Sequence, residues 1–325
     1  MALEFVMMMG LPGAGKSTYA KEHFVGYEIV SSDVIRAELG ITEHTSEANV
    51  LVFDEVHNRI KENLKAGKNT VLDATNLKRK NRVHALTLAK IAGRRQFLKT
   101  TLVLILNSVE HCIERDATRP NPVGEDVINR MYYSFESPAY YEGWNRIQVE
   151  YTPNPAIKQF YEDADMDHFD QHNSHHSYTL GEHLAKTGAY VMGKSFEDVN
   201  LSTAALYHDI GKVKTQSFVN KKGDVTEEAH YYSHMNVGAY DAMQIFLTDG
   251  VNARDVIDIC DLICMHMHPI IVWPASPNKL KEYINMAGRE QTARVLLLSE
   301  ADRASHGTIS DDRKFILETA EEGVS

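Results

Sequence analysis

Cysteine, tryptophan and long apolar runs are scarce in this 325-residue chain. It contains three cysteines and two tryptophans, and no apolar run exceeds about seven residues. Three cysteines cannot form a disulfide framework, which predicts a reducing compartment. A helix that crosses a bilayer needs about twenty apolar residues, and the first residues lack the pattern of a signal peptide. We therefore expect a cytoplasmic protein with no membrane partner.

The negative charge lies in the second half of the chain. The net charge is −11; residues 1–160 hold 20 basic and 19 acidic side chains, whereas residues 161–325 hold 14 and 26. A protein that binds along a phosphate backbone is expected to be basic, so this composition favours brief contact with nucleic acid or contact at its ends. Small-molecule substrates are equally compatible with this charge.

The length of the chain favours two domains, each with its own core.

Residues 10–18, with the sequence GLPGAGKST, match the P-loop pattern GxxxxGK[ST]. The apolar run 5–9 predicts a buried strand before the loop, and residues 18–24 predict a helix after it. In such a loop the backbone N–H groups and the lysine bind phosphates, while the hydroxyl after the lysine binds Mg²⁺. The pattern predicts a site for ATP or GTP with Mg²⁺, formed by Gly13, Ala14, Gly15, Lys16, Ser17 and Thr18.

Polar residues follow two further predicted strands. Asp33 and Arg36 lie three apart at the start of a helix after strand 27–30, and Asp73 lies in the polar end of the next strand. A carboxylate near the γ-phosphate can accept a proton from an attacking hydroxyl, and an arginine beside it can hold an acceptor phosphate. Asp73 is placed for the Mg²⁺ shell or for orienting Arg36. In isolation, Asp33 is more often a helix N-cap and Arg36 a solvated charge.

Three helical segments complete the first half. Residues 47–68 predict an amphipathic helix whose buried face contains Val50, Phe53, Val56, Ile60 and Leu64. The basic run 78–82 predicts a solvated helix surface. Arg115 and Arg119 lie four apart and are predicted to share a helix face beside a mobile lid at residues 120–124. Lid arginines stabilise a phosphoryl group in transfer, although either residue alone would be taken for a surface charge.

The motifs GLPGAGKST, SSDVIR, VLDATN and ERDATRP follow one another in the order found in one kinase family. Over about residues 1–150 the chain resembles the kinase domain of T4-type polynucleotide 5′-kinase/3′-end-healing enzymes. The resemblance implies that Lys16 and Ser17 bind the triphosphate and the metal. It also implies that Asp33 is the general base, that Arg36 holds the acceptor phosphate and that Arg119 is the lid arginine, with Arg115 and Asp73 beside them. Adenylate-like, toxin-type and tRNA-directed kinases share parts of this pattern, which leaves the acceptor open.

Histidines become dense after a proline-containing segment at residues 151–155. The predicted domains are therefore residues 1–155 and residues 165–325. Histidines and aspartates on separate predicted helices form a set suited to Zn²⁺, Mn²⁺, Fe, Ni or Co, and Asp209 can bridge two ions. Lys212, one turn later, is placed to bind a phosphate. His172, His175 and His176 are predicted to line an entrance or to pack.

The motifs GEH, HDIGK, SHMNVGA, MHMH and ADRA resemble those of the HD phosphohydrolase superfamily over about residues 168–310. The resemblance implies an all-helical domain with one or two metal ions. It assigns His183, His208, Asp209 and Asp302 to one ion, and His234 and His266 to a second, with His230 as a further candidate. Because His266 and His268 lie two apart on a helix, we expect only His266 to face the site. Cys260 and Cys264 lie among apolar residues and are predicted to be buried, not metal-bound.

The combination predicts a parallel α/β P-loop NTPase domain followed by an all-α HD-superfamily domain. Bifunctional enzymes that join such a kinase to an HD domain act on the ends of RNA or DNA, and the resemblance extends to that class. It implies a kinase for 5′-hydroxyl ends, a phosphoesterase for 2′,3′-cyclic phosphate or 3′-phosphate ends, and a ligase that acts downstream. Two other functions stay open: a nucleotide or small-metabolite kinase joined to an HD nucleotidase, and a nucleotide-sensing switch.

Overall fold

The computed structural model describes residues 3–43, 45–94, 98–173 and 178–305. The chain divides into two compact units. The first unit extends to Tyr132 and includes Glu142–Thr152; the second contains Tyr133–Tyr141 and the chain from Pro153 onward. The segment Tyr133–Tyr141, which lies between two parts of the first unit in sequence, thus packs with the second.

The first unit is built on a parallel five-stranded sheet with the order β2-β3-β1-β4-β5. The central strand β1 pairs with β3 and β4, so that Phe5 lies opposite both Thr70 and Thr100. Phe5 to Met9 are fully buried, as expected for a parallel strand covered by helices on both faces. The P-loop leaves the carboxyl end of this central strand, and the ends of β3 and β4 flank it. The strands are β1 (Leu3–Met9), β2 (Glu28–Ser31), β3 (Thr70–Asp73), β4 (Leu98–Leu106) and β5 (Arg146–Tyr151).

Helices connect these strands. They are α1 (Lys16–His23), α2 (Ser32–Glu38), α3 (Ser46–Lys65), α4 (Arg79–Ala92), α5 (Val109–Ala117) and α6 (Glu125–Tyr132). Helix α3 buries Val52, Val56, Ile60 and Leu64. The prediction that Val50 is buried was wrong, because Val50 is 59% exposed. Val50 and Val52 are both compatible with a helical stripe that continues to Val56, and packing against the sheet selects Val52.

Arg82 in the first unit also differs from the prediction. The basic run was expected to be solvated, but Arg82 is fully buried and donates from Nη2 to Glu142 Oε1 over 2.6 Å. Its Nε also donates to Glu142 Oε2, and its Nη1 donates to the carbonyls of Asn76 and Leu77. A buried guanidinium is tolerated because these bonds replace the water it loses.

The second unit is predominantly helical, and the predicted fold class is confirmed. Its helices are α7 (Pro155–Asp163), α8 (Leu180–Lys194), α9 (Val199–Tyr207), α10 (Lys212–Thr215), α11 (His234–Thr248), α12 (Ala253–Met265), α13 (Trp273–Ala275) and α14 (Pro277–Ala304). Helices α11 and α12 form much of the core, and Gly288, with a φ of 85°, interrupts the helical backbone of α14. Cys260 and Cys264 are buried in α12, and burial raises the pKa of the Cys260 thiol well above its ordinary value.

The helical unit also contains a two-stranded hairpin that was not predicted. Strands β6 (Gln216–Val219) and β7 (Val225–Tyr231) pair antiparallel, with Gln216 opposite Tyr231. The hairpin occupies the sequence between Asp209 and His234, so that it joins two of the predicted metal ligands.

One helical stretch, Ala253–Ala275, is long and apolar enough to cross a membrane by length and composition. Its most apolar window is 67% buried inside the protein. Core helices of globular domains pass the same test, so this stretch is weak support for a membrane segment.

Candidate functional site

The P-loop has a backbone that its glycines make possible. Gly10, Gly13 and Gly15 have φ values of 144°, 78° and 105°, which side-chain-bearing residues rarely adopt. A Cβ on Gly13 would collide with the backbone carbonyl of Cys112, so the loop packs directly against α5. Asn107, just after β4, donates from Nδ2 to the Ala14 carbonyl over 2.8 Å. The loop is thus fixed in place before any phosphate binds.

Lys16 begins helix α1 and is buried beneath the loop. Its Nζ donates to the Leu11 carbonyl over 2.8 Å. Burial is the main influence on this ammonium and lowers its pKa, while Asp73 and Asp33 oppose the effect. Asp73 is itself buried at the end of β3. Ser17 and Thr18 follow in the first turn of α1 and are exposed, so their hydroxyls are accessible to a nucleotide and its metal.

Asp33, in the first turn of α2, is paired with the predicted lid arginine. Arg119 Nη2 lies 3.2 Å from Asp33 Oδ2, and Arg119 Nη1 lies 3.0 Å from Asp116 Oδ1. Arg119 was predicted to share a helix face with Arg115. It lies outside α5, because the helix ends at Ala117 and the chain turns before Pro120. The other oxygen of Asp116 accepts from the backbone N–H groups of Val123 and Gly124. Asp116 therefore holds both the arginine and the loop that follows it.

Arg36 contacts neither Asp73 nor Asp33 through its described hydrogen bonds. Its Nη1 donates to the Glu43 carbonyl over 2.7 Å, and its Nη2 donates to Asn49 Oδ1 over 2.5 Å. Asp73 was one predicted partner for orienting Arg36, but no hydrogen bond joins the two among the described residues. Both groups that hold Arg36 come from the segment that enters α3.

A cavity of about 250 Å³ opens beside the P-loop within the first unit. Gly15, Tyr19, Asn107, Arg115, Glu150 and Thr152 are among its lining residues. Arg115 reaches over the loop, since its Nη1 lies 3.0 Å from where a Cβ on Gly15 would be. The predicted lid residue Arg115 is therefore at the P-loop, in a position to contact a bound nucleotide.

In the second unit, six predicted residues converge on one buried centre, which we call the histidine cluster. They form two overlapping groups: His183, His208, Asp209 and Asp302; and Asp209, His234 and His266. Within each group the candidate ligand atoms lie within 4.8 Å of one another. His183 Nε2 lies 3.2 Å from Asp302 Oδ1 and 3.3 Å from Asp209 Oδ2. His234 Nε2 lies 3.1 Å from the other oxygen of Asp209. One carboxylate thus faces both groups.

The four imidazoles present Nε2 to the centre because Nδ1 is engaged elsewhere. The Nδ1 atoms of His208, His234 and His266 lie 2.7–2.9 Å from the carbonyls of Ala205, Tyr231 and Ile263. Ser305 Oγ donates to the Asp302 carbonyl and therefore accepts from His183 Nδ1 over 2.6 Å. A carbonyl can only accept, so in the neutral rings Nδ1 carries the proton and Nε2 carries a lone pair.

This donor set fits a metal ion. Nε2 of His183 and His208 lie 3.1 Å apart, and Nε2 of His234 and His266 lie 3.2 Å apart, so lone pairs would face each other. Asp209 Oδ1 is buried and accepts no hydrogen bond from the described residues. Buried lone pairs and an uncompensated carboxylate oxygen require positive charge, and imidazole with carboxylate is a donor set for divalent transition metals. Asp302 completes the first group, and Asp209 is placed to bridge two ions.

The electrostatics of the cluster agree with that requirement. Burial acts most strongly on Asp209 and opposes its ionisation, but Lys212, His208 and His234 hold its pKa well below the ordinary value. Burial would lower the pKa of His208, yet Asp209 and Asp302 raise it to about 10. Burial lowers the pKa of His266. The centre thus attracts a cation, which a proton or a metal ion can supply.

Lys212 lies beside the cluster in a defined setting. Its Nζ is 2.6 Å from Asp209 Oδ2 and donates to Gln171 Oε1 over 2.9 Å. The same ammonium lies 5.3 Å from the centroid of the Tyr231 ring. Its position next to the bridging carboxylate is compatible with the predicted phosphate contact.

The remaining histidines lie outside the cluster or outside the described residues. His268 packs against Trp273, and His230 lies on β7 with its Nε2 3.1 Å from Thr226 Oγ1. His172 is exposed next to the hairpin. His175 and His176 fall outside the residues that the structure describes.

Three residues that support the two sites were not predicted: Asp116, Gln171 and Ser305. Asp116 lies inside the ERDATRP motif, and its near-complete burial distinguishes it from a surface acid. Gln171 and Ser305 carry no local signal, because their roles arise from contacts with Lys212 and His183 far along the chain.

The fold and the two residue sets define a class: a P-loop nucleotide-binding domain of the parallel α/β type, followed by a helical domain with a His/Asp cluster. Comparison with family models gives two domains in the same order. Residues 5–138 match the AAA domain model, and residues 174–306 match the HD domain model. The chain is therefore an AAA domain of the P-loop type joined to an HD domain.

No curated protein matches the chain. Among solved structures, a protein from Chloroflexus aurantiacus J-10-fl with a provisional kinase assignment shares 14% identity over 50% of this chain and 95% of its own, with a TM-score of 0.38. The Pnkp1/Rnl/Hen1 RNA repair complex shares 21% identity over 41% of this chain, with a TM-score of 0.34. This match covers 44% of the matched chain, less than half of its length. A gluconokinase from Sinorhizobium meliloti 1021 shares 18% identity over 48% of this chain and 86% of its own, with a TM-score of 0.34. Likeness at this level carries no functional argument.

Proposed function

We propose that the chain repairs nucleic acid ends. Its P-loop domain transfers the γ-phosphate of ATP or GTP to a 5′-hydroxyl end, and its HD domain hydrolyses a 2′,3′-cyclic phosphate or a 3′-phosphate end. The observation that carries the proposal is the presence in one chain of an acid–arginine pair beside a P-loop and a buried His/Asp cluster for two ions. A break with 5′-hydroxyl and 3′-phosphate ends needs both reactions before a ligase can join it.

In the transfer step, the oxygen of the 5′-hydroxyl attacks the γ-phosphorus while Asp33 accepts the hydroxyl proton. The bond between the γ-phosphorus and the oxygen that bridges to the β-phosphate breaks, and the nucleoside diphosphate leaves. The 72% exposure of the Asp33 side chain supports this role, because an acceptor hydroxyl can reach it. Arg119 exchanges part of its contact with Asp33 for the transferring phosphoryl group, and Lys16 holds the outer phosphates. Arg36 binds the phosphate that follows the terminal nucleoside of the acceptor.

In the hydrolytic step, divalent ions bound by the histidine cluster would supply Lewis acidity and would lower the pKa of a water molecule to near neutrality. His183, His208, Asp209 and Asp302 would hold one ion, and His234 and His266 with Asp209 would hold a second. Asp209 has one oxygen directed at each group. Lys212 contacts the phosphate and offsets its charge beside Asp209. A 3′-phosphate end reacts with water to give a 3′-hydroxyl and inorganic phosphate.

The test combines two substrates with two variants. Purified protein with Mg²⁺ and γ-labelled ATP should phosphorylate a 5′-hydroxyl oligonucleotide, and with Mn²⁺, Ni²⁺ or Co²⁺ it should release phosphate from a 3′-phosphorylated one. Asp33→Ala should abolish the first reaction and retain the second, whereas Asp209→Ala should do the reverse. Loss of both activities in either folded variant would contradict two independent sites.

Other outcomes identify the competing functions. Label that enters nucleosides but not oligonucleotides would indicate a nucleotide or small-metabolite kinase joined to an HD nucleotidase. Slow ATP hydrolysis with no acceptor would indicate a nucleotide-sensing switch. A panel of RNA and DNA ends separates the two polynucleotide substrates. We further propose that the protein acts in the cytoplasm.

A further inference from the structure

We propose that the hairpin of the HD unit forms a wall on which the terminal base of the substrate stacks. This inference rests on the proposed end-repair function and specifies its substrate as the base-bearing end of a single strand. The hairpin wall consists of strands β6 and β7 with residues 170–173, which run beside β7. It leads from the histidine cluster to the surface of the second unit.

The hairpin and the segment 170–173 are held together by hydrogen bonds. Tyr231 donates from its hydroxyl to the Gln171 carbonyl over 2.5 Å. Gln216 donates from Nε2 both to the Tyr231 hydroxyl and to the Asp170 carbonyl, each over 3.0 Å. The Ala229 N–H donates to the His172 carbonyl over 2.8 Å, and Asn173 donates to the Ala229 carbonyl. The two segments thus form a continuous surface.

The inner end of this wall lies at the histidine cluster. Gln171, which is 1% exposed, accepts from Lys212, whose ammonium contacts Asp209. The ring of Tyr231 lies under the same ammonium. A phosphate bound at Lys212 would therefore have its nucleoside directed along Gln171 and Tyr231.

The outer end of the wall carries two exposed rings. His172 follows Gln171 directly, and its ring lies edge-on to that of Phe218, with centroids 5.5 Å apart. The His172 side chain is 50% exposed, and Phe218 is 39% exposed. His172 also has a φ of 41°, a conformation unfavourable for a residue other than glycine and often found at functional positions.

The net charge of the second half of the chain disfavours binding along a phosphate backbone. Residues 161–325 hold 14 basic and 26 acidic side chains, so the unit as a whole repels a phosphate backbone. Base stacking on aromatic rings is independent of that charge, and it tolerates any base because every base has a π-face. The wall is therefore suited to hold one nucleoside next to the scissile phosphate.

The experiment compares two oligonucleotides that differ in one base. Both carry a 3′-phosphate, but the terminal nucleotide of the second is abasic. Phe218→Ala and His172→Asn should each raise KM about tenfold for the first substrate, leave kcat unchanged and leave both constants unchanged for the abasic one. Asn is chosen at position 172 because it tolerates a positive φ while removing the ring. Phe218→Trp keeps an aromatic ring at this position and should have nearly the same KM as the native protein.

Phe196→Ala provides a matched control, since Phe196 is an exposed ring in the turn between α8 and α9. It should change neither KM. Unchanged KM for the base-bearing substrate in Phe218→Ala and His172→Asn would overturn the stacking proposal alone. An equal rise for both substrates would also overturn it. Failure of the native protein to hydrolyse any 3′-phosphate or cyclic end would instead overturn the end-repair function, and the stacking proposal with it.

Discussion

The two candidate sites differ in how much of each is enclosed by the protein. Asp33 at the P-loop site has a side chain that is 72% exposed, whereas Asp209 in the histidine cluster is 3% exposed. The charged residues of the first site bind one another or the backbone, as Arg119 does with Asp33 and Arg36 with the Glu43 carbonyl. The four histidines of the second site are each held by a hydrogen bond at Nδ1. An exposed site can exchange such contacts for substrate, while an enclosed site is assembled for its ions in advance.

This difference in exposure predicts which property of the protein a substitution changes at each site. Substitution of an exposed charged residue should affect turnover with little effect on folding. Substitution around the enclosed cluster should affect ion binding and, through it, stability.

Arg119→Ala should lower kcat for phosphoryl transfer by about 10³-fold, the lower end of the contribution made by arginines that stabilise a transferring phosphoryl group. Because Arg119 is partly exposed, the melting temperature should change little. The measurement is single-turnover transfer from labelled ATP, alongside thermal unfolding. Arg119→Lys retains the charge without the two-pronged contact and should recover only part of the rate. Full activity in Arg119→Ala would show that Arg119 takes no part in phosphoryl transfer.

Mn²⁺ should stabilise the second unit. At a concentration of about 100 times Kd, binding to the native state alone contributes about 2.7 kcal/mol, which corresponds to a rise in melting temperature of roughly 5–10 °C. Differential scanning calorimetry with and without the ion measures this rise. Asp209→Asn removes the carboxylate charge that faces both groups and should abolish it. An equal rise in that variant would show that the ion binds elsewhere.

Local motifs predicted most of the residues that the structure brings together in the two candidate sites, and several of these lie at or next to a strand end or a helix terminus. Asp73 ends β3, His208 and His266 follow the last residues of α9 and α12, and His234 begins α11. These positions follow from sequence periodicity and the edges of apolar runs.

Features that depend on distant packing were not predictable in this way. Within the part of the chain that the structure describes, the hairpin pairs with no further strand, and its two strands lack a clear alternation of apolar residues. The burial of Arg82 requires Glu142, which lies 60 residues away. The choice of Val52 over Val50 depends on how α3 docks, since both fit the helical period. In each case the deciding contact joins segments that the local sequence leaves independent.

Ser305→Ala should weaken metal binding by about 10- to 100-fold, the usual cost of losing a residue that orients a ligand. Without the hydroxyl, His183 Nδ1 loses its acceptor, so the proton is no longer held on that nitrogen. Isothermal titration with Mn²⁺ provides the measurement, and kinase activity provides the control, which should be unchanged. Ser305→Thr retains the hydroxyl and should bind the ion nearly as well as the native chain. Equal affinity in Ser305→Ala would mean that backbone contacts alone orient the cluster.

Asp116→Asn should produce the smallest effect, about a tenfold decrease in kcat for transfer. Asp116 accepts from Arg119 and from the N–H groups of Val123 and Gly124, and hydrogen bonds to a charged group contribute about 1.5–3 kcal/mol. The amide retains one acceptor oxygen, so part of the loop should stay fixed while the contact with Arg119 weakens. The decrease should be absent when Arg119 is already Ala, because Asp116 acts through that arginine. An additive loss in the double variant, measured by the same single-turnover assay, would instead show that Asp116 supports the site through the loop alone.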